Sequence, residues 1–221
     1  MDISTKNNDS NRKVRDRLLD AAEQSFAEKG FDRTSVRDLT ANANCNLAAV
    51  NYHFGGKENL YTEVFRRQLV TMREARLKSI EKVMSQTDHE PTLEELIRTF
   101  ATAFIEPLID QSSGRRFMKL MVHEMSDPRL PKNMFVEEVA APTITALGKS
   151  LARVYPGLSQ QKTVLSILSI IGQLVHIIHI KEMFELGNLV GTPPLNLAEM
   201  VNHIVEFSTA GIRASVQEKN D

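Results

Sequence analysis

His176 and His179 stand three residues apart, and His123, Glu124 and Asp127 fall within five positions, so a metal ion or a hydrolytic water would first be sought there. A tetrahedral metal site needs three or four ligands at fixed spacing. Neither group gains a further ligand at such a spacing, and both read as packed histidines on helices. Covalent and phosphoryl chemistry also lack their signatures: there is no Gly-Xaa-Ser-Xaa-Gly, no paired carboxylates and no phosphate-binding loop. No metal, no cofactor and no enzymatic activity are therefore expected. The single cysteine, Cys45, excludes an internal disulfide framework and reads as a small buried apolar residue.

A different chemistry is written between Arg33 and Tyr61, RTSVRDLTANANCNLAAVNYHFGGKENLY. At about 100° per residue, Val50 and Phe54 project to one side of a short helix while Ala48, Ala49, Asn51 and Tyr52 project to the other. The outward set suits a helix lying in a DNA major groove. Alanines let the backbone approach and touch a thymine methyl, and asparagine pairs bidentately with adenine. Lys57 follows Gly55-Gly56 and falls in the first turn of the next helix, where its ammonium and the free backbone amides suit a phosphate. The expected DNA contacts are thus Thr34, Arg37, Asn46, Ala48, Ala49, Asn51, Tyr52, His53 and Lys57, with Asn51 and Tyr52 contributing to base choice and Thr34, Arg37, His53 and Lys57 holding phosphates.

Such a reader must be positioned by its neighbours. Thr34 is the expected N-cap of a first short helix with Val36 and Leu39 on one face. Asn44 is expected to take the left-handed conformation of a sharp turn, and Asn46 to cap the second helix. Upstream, Val14, Leu18, Ala22 and Phe26 step by four, which predicts a helix with one buried stripe, ended by Gly30 with Phe31 folding back over it. Residues 1–13 are a polar tail, expected to be disordered, with Lys6, Arg12 and Lys13 within reach of a minor groove.

These residues carry a resemblance. LLDAAEQSFAEKGFDR followed by TSVRDLTANANCNLAAVNYHFGGKENLY resembles the DNA-binding domain of the TetR (tetracycline-repressor) family of bacterial transcription regulators over Arg15 to Val64. Gly30, Phe31, Thr34, Tyr52, His53, Phe54 and Lys57 occupy the family's characteristic places. Asn44 stands where Gly is usual, Leu47 where a basic or small residue is frequent, and Asn51 where an aromatic is frequent; the last two bear on which operator is read. The resemblance implies an all-α protein in which a three-helix, helix-turn-helix DNA-binding domain (14–60) is joined by a long helix to a larger helical ligand-binding and dimerisation domain (61–221).

The balance of charge neither forbids nor drives this reading. The net charge is −1 and 42% of residues are hydrophobic, as in an ordinary soluble globular protein. Up to Lys57 there are nine Lys/Arg and eight Asp/Glu, so phosphate binding must rest on local placement at Arg33, Arg37, Lys57 and helix N-termini. The polar N-terminal stretch does not resemble a signal peptide, and the reducing cytoplasm is the expected compartment.

Beyond Glu58 the pattern stays helical to about Met84, a rod of about 40 Å. Gln86 to Pro91 breaks it, and Thr92 with Glu95 forms a capping box for Leu93 to Ile109, with Pro107 near its end. Further helices are predicted at Arg115 to Met125, at Met134 to Tyr155 with Pro142 as a kink, at Ser159 to Glu185, and, after Gly187 to Pro194, at Asn196 to about Val216. Val164 to Ile180 is very apolar, but Ser166, Ser169, Gln173 and His176 make it a poor membrane span. The last two helices offer more apolar surface than one copy can cover, with Ser208, Gly211 and Ser215 as a small-residue strip, so a homodimer is expected. Phe100, Phe104, Phe117, Met121, His123, Met125 and Phe135 are the candidates for an effector pocket, joined by Met118, Met134, Arg115, Arg116 and Glu124. The function expected is a repressor that binds a palindromic operator as a dimer and is released by a small, largely apolar molecule. The alternative is a constitutive or protein-partnered regulator with no such ligand.

Overall fold

The computed structural model describes residues 3–109, 111–186 and 196–217, and side chains within 12–108, 113–178 and 196–216. Among the described residues there are helices and no strand: α1 (Ile3–Lys29), α2 (Val36–Asn42), α3 (Ala48–Phe54), α4 (Lys57–Met84), α5 (Leu93–Ile109), α6 (Gln111–Ser126), α7 (Ala141–Val154), α8 (Gln160–Leu186) and α9 (Leu197–Gln217). The stretch 187–195, where a break between the last two helices was expected, lies outside the described residues.

The chain forms two compact units, one of residues 1–70 with 110–134 and the other of 71–109 with 135–221. This differs from a division at residue 60, because α6 packs along α1 and belongs with the reader. The N-terminus differs too. Helix α1 begins at Ile3 instead of after a disordered tail, and no Pro or Gly interrupts the chain before Gly30.

In the first unit the predicted stripe is buried: Leu18, Ala22 and Phe26 are fully covered, together with Leu39, Val50, Leu60, Val64, Phe65 and Leu120. Tyr61 stands edge-on to both Phe26 and Phe31, at 5.1 and 5.2 Å between ring centroids. A polar clamp lies beside this core. Glu23, only 4% exposed, accepts hydrogen bonds from Arg67 (2.7 Å), Gln68 (2.7 Å) and Arg116 (3.0 Å). Burial alone would raise its pKa, but the bonds from Arg116, Arg67 and Gln68 outweigh burial and hold it below the usual carboxylate value.

In the second unit α5 is the central element, packed on α7, α8 and α9, with Leu96, Ile97, Phe100, Ala101 and Ile105 buried. The Thr92–Glu95 capping box is present: the Glu95 amide donates to Thr92 Oγ1 at 3.2 Å and the Thr92 amide to Glu95 Oε2 at 2.9 Å. Asn196 and Glu199 make the same reciprocal pair before α9. The expected long helix is present, unbroken from 134 to 154, and its irregularity near Pro142 is a π-helical turn at Val136–Ala140 that runs into α7, with Pro142 in the first turn of α7. Proline has no N–H to give the Glu138 carbonyl one turn back. The Arg73 guanidinium donates to that carbonyl instead, at 3.2 Å, and to the Glu138 carboxylate at 3.2 Å.

Residues 160–178 of α8 are long and apolar enough to cross a membrane, yet Ile167, Ile170, Leu174 and Ile177 are buried inside the unit. Its outer side mixes Ser166, Ser169 and Gln173 with exposed Leu165, Leu168 and Val175.

Candidate nucleic-acid interface

The reading pair is set by backbone chemistry at three points. Gly30 ends α1 at φ 76°, Asn44 makes the turn at φ 49°, and Gly55 ends α3 at φ 75°; only Gly, and less often Asn, enters this left-handed region cheaply. The turn is held from outside by Arg17, whose Nε donates to the Ala43 carbonyl at 3.0 Å and whose Nη2 donates to that of Asn44 at 3.4 Å. The Arg17 guanidinium thereby satisfies carbonyls left open at the end of α2. Nothing in the sequence pattern singles Arg17 out.

Helix α3 buries Ala49, Val50 and Phe54 and exposes Ala48, Asn51 and Tyr52, with Tyr52 73% exposed. Asn46 and Leu47 before it are also exposed. His53 is half-buried, its ring 4.9 Å from that of Tyr52. Arg33 and Arg37 are exposed, the former with Nε on the Lys29 carbonyl at 2.9 Å. Lys57 lies 4.1 Å from the centroid of Phe31, and Arg129 lies 4.4 Å from the same ring. Burial lowers the Lys57 pKa; Asp32 and Glu58 act in the opposite sense.

Three expected roles change. Thr34 is neither the N-cap nor available to a phosphate: it is 1% exposed, and its hydroxyl lies 2.8 Å from the Gly30 carbonyl and 3.2 Å from that of Ser25. Ser35 is the cap, its hydroxyl accepting from the Asp38 amide at 3.1 Å while Asp38 answers on the Ser35 amide. Asn46 does not cap α3, whose N-cap position is Leu47 without a side-chain bond. Ala49 faces inward, because a helix packed against two others buries a wider arc than one apolar stripe.

The seven expected pocket residues are divided between the units. Phe100 and Phe104 are buried in the second, where Phe135 is 42% exposed. In the first, Phe117 is core beside Phe65 at 6.0 Å, Met121 and His123 are half-buried, and Met125 is 73% exposed. They do not form one cluster within either unit. His123 borders a cavity of about 180 Å³ with Gly30, Phe31, Tyr61 and Arg129. Tyr61 donates to Glu124 at 3.1 Å, and burial followed by the Glu124 carboxylate pushes its phenol above the ordinary range. Among the described residues no three metal-ligating side chains converge; the side chain of His179 lies outside them.

Residues 18–64 match the family described as bacterial regulatory proteins, tetR family, and residues 98–211 match the tetracyclin repressor-like C-terminal domain. This chain belongs to the TetR family. As a TetR-family protein it is a DNA-binding transcriptional regulator, and Ala48–Phe54 is the second helix of its helix-turn-helix. The regulator is 31% identical over 89 residues to the probable HTH-type transcriptional regulator YttP of Bacillus subtilis, covering 38% of this chain and 39% of that one. It is 35% identical over 48 residues to IcaR, the negative transcriptional regulator of the biofilm operon in Staphylococcus epidermidis, covering 22% and 26%. The match thus spans well under half of these relatives' length. Its fold is shared with a TetR-family regulator from Mesorhizobium loti (TM-score 0.68, 18% identity, 93% and 97% of the two chains). It is also shared with the regulator FadR from Bacillus subtilis, solved with stearoyl-CoA (TM-score 0.64, 16% identity, 88% and 97%).

Proposed function

We propose that this regulator works in the cytoplasm as a homodimeric repressor, binding a palindromic DNA operator and leaving it when a small, largely apolar effector occupies the second unit. The observation that carries the DNA half is the exposure of Ala48, Asn51 and Tyr52 on a helix anchored by Ala49, Val50 and Phe54. Asn46, Ala48, Asn51 and Tyr52 face bases, and Arg37, His53 and Lys57 hold phosphates; Thr34 and Ala49 leave this set.

Pairing is supported by the outer side of α8 and α9. Leu165 (55%), Leu168 (50%) and Phe207 (63%) are exposed there, and an open groove of about 300 Å³ runs past Ser169, Ser208 and Gly211. An isologous contact along this face gives a two-fold dimer, the symmetry that a palindrome requires. Repression is favoured by the likeness to IcaR, a negative regulator, and an effector with a long apolar chain by the FadR structure, solved with stearoyl-CoA. The effector must favour the released form by about 5.5 kcal/mol to turn occupancy from nearly full to nearly empty.

Selecting genomic fragments on the full-length protein tests the reading. A shared inverted repeat, with half-sites about 10 base pairs apart between centres, is the expected result. Fragments without two-fold symmetry would overturn the dimeric operator.

A further inference from the structure

Arg76 is a charged side chain in the interior of the second unit, 6% exposed. Its Nε has no hydrogen-bond partner among the described residues. Its guanidinium carbon sits 3.8 Å from the centroid of Phe104 on α5. The face of that ring meets the positive charge, but it offers no acceptor in the guanidinium plane, where the five N–H donors point. Burial alone lowers the Arg76 pKa, to about 10, with no carboxylate contributing. A buried charge in a folded protein is normally paired. Arg73, three residues earlier on the same face of α4, shows the contrast, since it is committed to Glu138. The hydroxyl of Thr143, on α7 just beyond that segment, is the other buried polar side-chain atom without a partner among the described residues.

We propose that Arg76, lying over Phe104, is the head-group subsite of the effector, and that the effector is an amphipathic monocarboxylate whose apolar body lies among the surrounding side chains. The inference rests on the effector reading of the second unit and adds the charge of the ligand to it. A carboxylate presents two oxygens in one plane to the guanidinium fork. One buried cation balances one negative charge, whereas a phosphate monoester carries about −1.5 to −2 at neutral pH and would need a second cation.

The test is calorimetric titration of the full-length protein with decanoate, 1-decanol and decyl phosphate, each below its aggregation limit. Wild type should bind decanoate at least about tenfold more tightly than decanol, the size expected of a hydrogen-bonded charge pair. Arg76→Met should bind acid and alcohol alike, and Arg76→Lys should keep part of the preference. Without ligand, Arg76→Met should melt above wild type, because an unpaired buried charge has been removed. Equal binding of acid and alcohol by wild type would overturn the anionic subsite while leaving an apolar effector site standing. So would a preference that survives in Arg76→Met, or a lower melting temperature for that variant. Tighter binding of decyl phosphate than of decanoate would overturn the carboxylate assignment, and no binding of any of the three would overturn the effector reading as well.

Discussion

Thr34 shows how a side chain of the right type at the right spacing takes a different task. Its hydroxyl joins the end of α1 to the start of α2, so Thr34→Val should cost about 1 kcal/mol of stability, read as a lower denaturation midpoint. Asn51 is the opposite case, exposed on α3: Asn51→Ala should cost about 1–3 kcal/mol at particular base pairs and leave the melting temperature unchanged. Binding measured across a library of single-base operator variants checks this, and an unaltered preference would remove α3 from the groove. Glu23 gives a prediction in pH. Its folded pKa is depressed by its three donors, so the stability it contributes is present above its unfolded value of about 4.3 and is lost as pH falls through the lower folded value. Glu23→Gln should therefore destabilise by about 2 kcal/mol at neutral pH, and the gap in melting temperature from wild type should close below about pH 4.

At the scale of elements, the glycines and Asn44 were legible because a left-handed residue is a local requirement that sequence states directly; Gly30, Asn44 and Gly55 all adopt it. The caps were harder. Thr34 and Ser35 both suit an N-cap, and only the packing of α1 against α2 decides which of the adjacent hydroxyls is buried. Ala49 was misplaced for a related reason, since a helical wheel cannot show how many neighbours a helix will have. The grouping of the seven candidate pocket residues was least legible: aromatic and methionine content marks apolar interior without saying which unit it fills. Arg76 did leave a signal, as it interrupts the buried series Leu69, Met72, Ile80 and Val83 of α4. Arg17, on the outer side of α1, left none. Arg17→Ala should loosen the turn between α2 and α3 by about 1 kcal/mol, seen as faster amide exchange near Cys45 and weaker binding to every operator sequence alike.

At the scale of the whole molecule, Gly172 and Gly211 separate folding from pairing. A Cβ at either meets nothing within 4 Å in the single chain, so Gly211→Asp should fold with an unchanged melting curve. In a dimer packed along this face the same carboxylate would be buried without a partner. Sedimentation should then show dimer for wild type and monomer for Gly211→Asp; a variant that stays dimeric would move the interface elsewhere. The way the chain is shared between its units carries a further consequence, for dissection. Because 110–134 belongs with 1–70, the polypeptide leaves and re-enters the first unit, and no single cut yields that unit alone. An N-terminal fragment ending at Val70 lacks Phe117, Leu120 and Arg116, and with them one wall of the core and one donor to Glu23. Expressed by itself it should be a poorly ordered peptide, and adding back the remainder of the chain in trans should restore its helicity and its grip on DNA.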